Sequence, residues 1–260
     1  MNIILCLILC ANRLHYGVNK HQSGYDCTLK QASFFANSFS MISVVDATIS
    51  SRLFASCLFA AKDLVPWHPI TGTHIKSGMS LEALSEAAIS YSDNTAINLI
   101  IKKLGGSTVI TDFAHSIGNQ SFNLVHQEPH LNSNPAYEDD TVTPKDMAIT
   151  IEKLTLGNVL SKPLRSKLLR WMTNSTTSYK RMRAAAPITW VVADKTGSGS
   201  YGVANDIGIM WSPACKPIVL AIYTAANKQE AKSRDDIVAS TTEIILNEFA
   251  KNDACFKVQS

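Results

Sequence analysis

Three short stretches hold residue types that could act together chemically. Asp194-Lys195-Thr196-Gly197-Ser198-Gly199 sets a cation, two hydroxyls and a bare backbone side by side. Such a group could hold a carboxylate: the lysine by a charge-assisted contact, Thr196 and Ser198 as donors, and Gly197 by leaving room for close approach. Ser92-Asp93-Asn94 offers a hydroxyl, a carboxylate and a carboxamide where two helical patterns meet. Glu128-Pro129-His130-Leu131-Asn132 places a carboxylate and a carboxamide on one loop, able to pin a single water for general-base chemistry. Each stretch taken alone has a plainer reading. The lysine could be solvated on a Gly-rich hairpin, Ser92 could cap a helix in an Asp-Asn turn, and the glutamate could be a solvated loop residue.

The elements that must position these groups are clear from residue 62 onward. Residues 188–193 are an apolar, β-branched run that predicts a buried strand, and the Gly/Ser-rich turn after it leads to a second run at 207–211. Lys195 is thereby expected on an inner strand. Residues 218–225 predict a third strand and residues 232–249 a closing helix. Upstream, Ser80 caps a helix ending near Ser90, and residues 94–104 form another that Gly105-Gly106 stops. Further helices are expected over 108–117 and 163–172, and Thr143-Pro144-Lys145-Asp146 opens one with a hydroxyl cap and proline at its first position. Between them, residues 126–142 form a polar loop longer than a connection requires, as functional loops often are.

Composition narrows the function classes. Of 260 residues, 46% are hydrophobic and 17% charged, enough for a sizeable core. A net charge of +3, scattered along the chain, gives no nucleic-acid-binding stripe. No apolar run reaches the roughly 18 residues that cross a bilayer. Residues 1–11 read as a signal-like apolar segment, without a basic residue before it, and predict export to the periplasm or beyond. Residues 12–60 have no clean hydrophobic period. The six cysteines show no CxxC pair and no metal-ligand spacing, so neither a metal site nor a disulfide framework is expected.

The order Ser-Asp-Asn, Glu-Pro-x-Leu-Asn, Lys-Thr-Gly resembles the class A serine β-lactamases. Asp63-Leu64-Val65-Pro66-Trp67 is similar to the loop that places an aromatic residue at that family's pocket mouth. Tyr91-Ser92-Asp93-Asn94-Thr95-Ala96 and Lys195-Thr196-Gly197-Ser198-Gly199 match it as well. The resemblance runs over about residues 61–250. It implies an α/β fold shared with penicillin-binding proteins: an all-helical lobe packed on an antiparallel sheet with a flanking terminal helix. Residues 61–174 would be the helical lobe, with 126–142 as its omega-type loop, and 175–260 the sheet lobe.

The resemblance also implies hydrolysis of β-lactam antibiotics through a covalent acyl-enzyme, in a monomer that needs no cofactor. Ser92 would pass a proton to the leaving lactam nitrogen, helped by Lys195. Glu128 with Asn132 would activate the deacylating water. Lys195, Thr196, Gly197 and Ser198 would hold the substrate carboxylate, with the Ser198 N–H as half of the oxyanion hole. Asn94 would brace the lobes or the substrate amide, and Trp67 would stack at the rim.

Two features depart from the family. Its nucleophile lies in a Ser-x-x-Lys motif, and no serine of this chain has lysine three positions on. The expected window holds Ala32-Ser33-Phe34-Phe35-Ala36, and the nearest echo is Cys27-Thr28-Leu29-Lys30. The second departure is an arginine that many relatives place near the Lys-Thr-Gly strand, for which Arg234 is the substitute considered. Weak or absent hydrolysis is therefore expected. The alternatives are a catalytically dead remnant that at most binds β-lactams, and a penicillin-binding peptidase, against which Glu128 and Asn132 argue.

Overall fold

The structure, a computed structural model, describes residues 3–10, 13–18, 31–32, 56–131, 134, 136–213, 215–253 and 256. In chain order its strands are β1 (Ile3–Cys10), β2 (Arg13–Val18), β3 (Gln31–Ala32), β4 (Ser56–Cys57), β5 (Met79–Ser80), β6 (Thr141–Val142), β7 (Val191–Ser198), β8 (Ala204–Trp211) and β9 (Ile218–Ala225). Its α-helices are α1 (Leu81–Ser90), α2 (Asn94–Leu104), α3 (Ser107–Ser116), α4 (Pro144–Thr155), α5 (Lys162–Thr173), the short α6 (Met182–Ala185) and α7 (Asp235–Asn252).

The helices start and stop where local chemistry dictates. Ser80 Oγ accepts the Ala83 amide at 3.1 Å and caps α1. Gly105 closes α2 in the left-handed region at φ 102°, which a side chain would resist. Thr143 Oγ1 accepts the Asp146 amide at 3.2 Å, ahead of Pro144 in the first turn of α4.

The main sheet has the order β2-β1-β9-β8-β7. Alternation along its strands divides the apolar residues between two cores. Ile207, Ile209, Val219, Ala221 and Tyr223 join the helical lobe, where Leu84, Ile100, Ile151 and Trp171 are buried. Met210, Ile218, Leu220 and Ile222 face the other way and pack with Met182, Val238 and Phe256. The result is the expected α/β architecture: a helical lobe on one face of a sheet and the terminal helix α7 on the other. No helix among the described residues is long and apolar enough to cross a membrane.

Three expectations need correction. First, β7 begins at Val191, three residues later than the apolar run suggested, because Trp190 N bonds back to Pro187 O at 2.9 Å and closes a turn. Ile188 is fully exposed, and the strand carries Lys195, as expected, and continues through Ser198. Second, β7 is the sheet edge, not an inner strand.

Third, the sheet is not wholly antiparallel: β1 runs parallel to β9, from Ile3 against Ile218 to Cys10 against Ala225. Residues 3–10, read as a leader, and residues 13–18, read as irregular, are paired strands of that sheet. A short apolar run fits a buried strand as well as a leader, and the choice of partner is made far away in the sequence. The sheet thus draws on residues 3–10 and 13–18 as well as on β7, β8 and β9. Cys215 is disulfide-bonded, whereas Cys57 carries a free thiol.

Candidate active site

The junction between α1 and α2 is built around Asp93. Its fully buried carboxylate accepts the amides of Ile70 (2.9 Å), Thr71 (2.8 Å) and Ala96 (2.9 Å), and the Thr71 hydroxyl at 2.9 Å. Asp93, not Ser92, therefore caps α2, and the Ser92 hydroxyl is left for other work. Ser92 itself sits in the left-handed region at φ 54°, which is uncommon for a residue with a side chain. Asn94 Nδ2 donates to Pro66 O at 3.0 Å, and Asn94 N to Trp67 O at 3.0 Å. Trp67 Nε1 in turn donates to Tyr91 O at 3.1 Å, which fixes the indole at the rim with 62% of the residue exposed.

Glu128 comes from the long loop after α3. Asn98, one turn beyond Asn94 on α2, clamps its backbone from both sides: Nδ2 donates to Glu128 O at 2.7 Å, and Oδ1 accepts Glu128 N at 3.0 Å. The loop's ends are tied by Asp140, which accepts the Val125 and His126 amides at 2.8 Å and contacts His126 Nδ1 at 2.7 Å. The Glu128–Pro129 peptide is cis. Glu128 is only 6% exposed, and burial pushes its carboxyl up to about 7 against the opposing pull of the Lys195 charge. Asn132 lies outside the described residues, as do Cys27, Lys30 and Ser33.

Strand β7 supplies the facing wall. Lys195 is 4% exposed and donates to Ser92 Oγ and, at 2.7 Å, to Thr196 O. Burial, and then the nearby Arg181 charge, lower its ammonium to about 8. Thr196 Oγ1 pairs with Thr177 Oγ1 at 2.6 Å. Arg181 spans this end of the sheet. Its Nη1 donates to Gly197 O (2.6 Å) and Asn205 O (2.7 Å), two residues on the same rung of β7 and β8. Its Nη2 donates to Ser198 Oγ at 2.5 Å and its Nε to Asp235, the first residue of α7, at 2.7 Å. Arg234, the substitute considered from the sequence, is exposed and pairs with Asp236 instead. Behind Lys195, Asp194 is held by Arg183, and burial raises the carboxyls of both Asp194 and Asp206.

These walls enclose a cavity of about 310 Å³. Trp67, Ser92, Asn94 and Glu128 line one side of it, and Lys195, Thr196, Gly197 and Ser198 the other, so every described candidate faces one space. Arg181 and Thr177 line it too. Neither was singled out from the sequence. They come from the irregular segment before α6, where no spacing rule points at them. Asn98, also missed, had a signal, because it lies four residues after Asn94 on one helix face. The described residues contain no group of three or more His, Cys, Asp or Glu able to hold a metal ion. Chemically, the cavity offers a buried carboxyl with raised affinity for a proton, a hydroxyl bonded to a lysine, and a cationic, hydroxyl-lined strand edge suited to an anion.

Comparison with known proteins places this geometry. A family model described as the beta-lactamase enzyme family matches residues 58–249. The chain is 47% identical over 186 residues to beta-lactamase OXY-2 of Klebsiella oxytoca, covering 71% of this chain and 64% of that enzyme. It is 45% identical over 189 residues to beta-lactamase 3 of Bacillus cereus, covering 72% and 60%. The chain thus spans less than two thirds of the length of these relatives. Among solved structures, it is similar to a variant of the last common ancestor of Gram-negative class A beta-lactamases. There the TM-score is 0.84 at 35% identity, covering 89% of each chain. A beta-lactamase from Desulfarculus baarsii gives 0.82 at 34% identity, covering 90% of this chain and 87% of that one. Similarity of this extent, in sequence and in fold together, shows that the chain belongs to the beta-lactamase enzyme family, within its class A serine branch.

Proposed function

We propose that this protein hydrolyses β-lactam antibiotics through a covalent acyl-enzyme and so confers resistance to them. One observation carries this reading: a buried glutamate and a serine–lysine pair, from distant parts of the chain, line a single cavity. Acyl transfer needs a group that handles the proton of the nucleophile and leaving group, and hydrolysis needs a second that activates water. The Ser92–Lys195 pair suits the first task. Glu128 suits the second, because a base poised near neutrality can take a proton from water without holding it too tightly.

Thr196 and Ser198, beside the Lys195 and Arg181 charges, form the seat for the carboxylate common to these substrates. Asn132 would share the water with Glu128, and the exposed face of Trp67 would meet the substrate's side chain. A penicillin-binding peptidase has no need of a buried base in this loop, so Glu128 favours the hydrolase. The protein acts as a monomer in the periplasm or outside the cell, where β-lactams are met.

One sequence observation favours a second reading, a relative that only binds β-lactams: no serine has lysine three positions later. Nitrocefin hydrolysis by the purified protein separates the two. The hydrolase reading requires steady turnover that scales with protein concentration. A rate no higher than the uncatalysed one would overturn it.

A further inference from the structure

Thr196 and Ser198 of β7 line the cavity, and each meets a partner from the segment between α5 and α6. Ser198 Oγ accepts from Arg181 Nη2. A guanidinium only donates, so this bond occupies an acceptor site of Ser198 and leaves its proton to point elsewhere. Thr196 Oγ1 lies 2.6 Å from Thr177 Oγ1, a contact in which either oxygen could supply the proton. A hydroxyl has one proton to give and two sites that accept. If Thr196 gives its proton to Thr177, it has none for a ligand. If Thr177 is the donor, the Thr196 proton is free to enter the cavity, as that of Ser198 is.

A bound anion decides between the two arrangements. A carboxylate accepts and never donates, so Thr196 can bind one only with its own proton, and the bond between the threonines must then run from Thr177. From this hydroxyl pair we propose that Thr177 is a positioning residue that turns the Thr196 proton toward the substrate carboxylate, doing for Thr196 what Arg181 does for Ser198. The proposal rests on the reading of this strand edge as the carboxylate seat. Hydrogen bonds in a chain polarise one another, so the bond from Thr177 also strengthens the one Thr196 makes.

Backbone contacts bring the two threonines together without help from their hydroxyls. Thr176 N and Oγ1 donate to Ser90 O at the end of α1, at 2.8 and 3.0 Å. Ser175 N donates to Met172 O at 3.1 Å, and Arg181 N to Ser178 O at 3.0 Å. On the other side, the ladder places Thr196 opposite Asp206 of β8. Thr196 is only 5% exposed, so little water competes for its hydroxyl, and the direction of its proton matters. A seat whose two hydroxyls are both met by donors favours a ligand that only accepts, a carboxylate over its neutral ester.

The test is made on the full chain carrying Thr177→Val, which keeps the shape and removes the hydroxyl. KM for benzylpenicillin should rise about 5-fold, the typical net worth of one hydrogen bond, while kcat is kept. KM for benzylpenicillin methyl ester should change less, and Thr177→Ser should restore the value for the acid. In a Thr196→Val background, Thr177→Val should add nothing, because its effect passes through Thr196. An unchanged KM, equal losses for acid and ester, or independent losses in the double mutant would overturn the proposal and leave the hydrolase reading intact. If the unmutated chain shows no turnover, the hydrolase reading fails, and the same comparisons made on Kd by calorimetry still decide the role of Thr177. No binding of benzylpenicillin by the unmutated chain overturns both. Should Thr177→Val not fold, Thr177→Ala removes the same hydroxyl and is read in the same way.

Discussion

The two walls of the cavity solve one problem by opposite means. Lys195 is carried by a strand, and the ladder to β8 fixes its backbone on both sides of the residue. Glu128 is carried by a loop with no ladder, so side chains do the fixing: Asn98 grips its peptide, and Asp140 ties the loop's ends. Both groups end up almost wholly buried, and in both burial is the largest influence on the proton. It moves the two groups towards each other, the acid up to about 7 and the base down to about 8. Desolvation disfavours whichever form is charged, so one low-dielectric space brings an acid and a base close to neutrality at once. The lesson is that a loop can hold a reactive group as firmly as a sheet when its own backbone is hydrogen-bonded from outside.

Removing the reactive group from the loop wall should have the largest effect. Glu128→Gln keeps the shape but cannot accept the water's proton, so steady turnover of nitrocefin should fall by about 100-fold or more. Stopped-flow traces should retain a burst of acylation, and undiminished steady turnover would take Glu128 out of the mechanism. The strand wall is tested next through Arg181→Ala, which strips the donors from Gly197 O, Asn205 O and Ser198 Oγ. Losing charged hydrogen bonds worth about 1.5–3 kcal/mol should raise KM by roughly 10- to 100-fold. A mutant with unchanged KM would show that this wall needs the ladder alone.

Asn98→Ala probes the loop wall without touching its carboxylate. With its clamp gone, the Glu128 backbone keeps its place less well, and kcat should drop by about 10-fold, the cost of about 1.4 kcal/mol in positioning. If kcat holds, the ties through Asp140 suffice.

A pH profile sharpens the same contrast. In the proposed role of base, Glu128 is active in its deprotonated form, which predominates above about 7. Deacylation-limited turnover should therefore rise as pH passes through about 7, and this rising limb should vanish in Glu128→Gln. A flat profile between about pH 6 and 8, where a group of this pKa changes its ionised fraction by about 10-fold, would contradict that role. The smallest effect is expected from Arg234→Ala. Its exposed pair with Asp236 lies outside the cavity, so kcat/KM and the melting temperature should match the unmutated protein. A measurable loss of kcat/KM would return Arg234 to the site.

How far local signals reach is plain from particular residues. Ser80, Gly105 and Thr143 mark helix ends by chemistry that acts within a few residues, and the helices lie where those marks put them. The Lys195 strand was recognised but misplaced, because its start depends on the Pro187 turn and its edge position on the other strands. The run at residues 3–10 reads as a leader from its own composition, since nothing within it says that Ile218–Ala225 will lie alongside.

By itself, then, the sequence determined the kinds of groups available and their order: Ser92, Asn94, Glu128, and Lys195 to Ser198, on elements whose caps and periods are local. It also determined the absence of a Ser-x-x-Lys, which no folding can supply. Tertiary structure decided the rest. It made Asp93 the cap and so released Ser92 to Lys195. It chose Arg181 over Arg234 as the arginine beside the strand, and it recruited Asn98 and Thr177. It also moved the protons of Glu128 and Lys195 towards neutrality. Spacing along the chain encodes neither proximity nor dielectric. Both arise only when distant segments meet and exclude water, and there a common side chain becomes a reactive one.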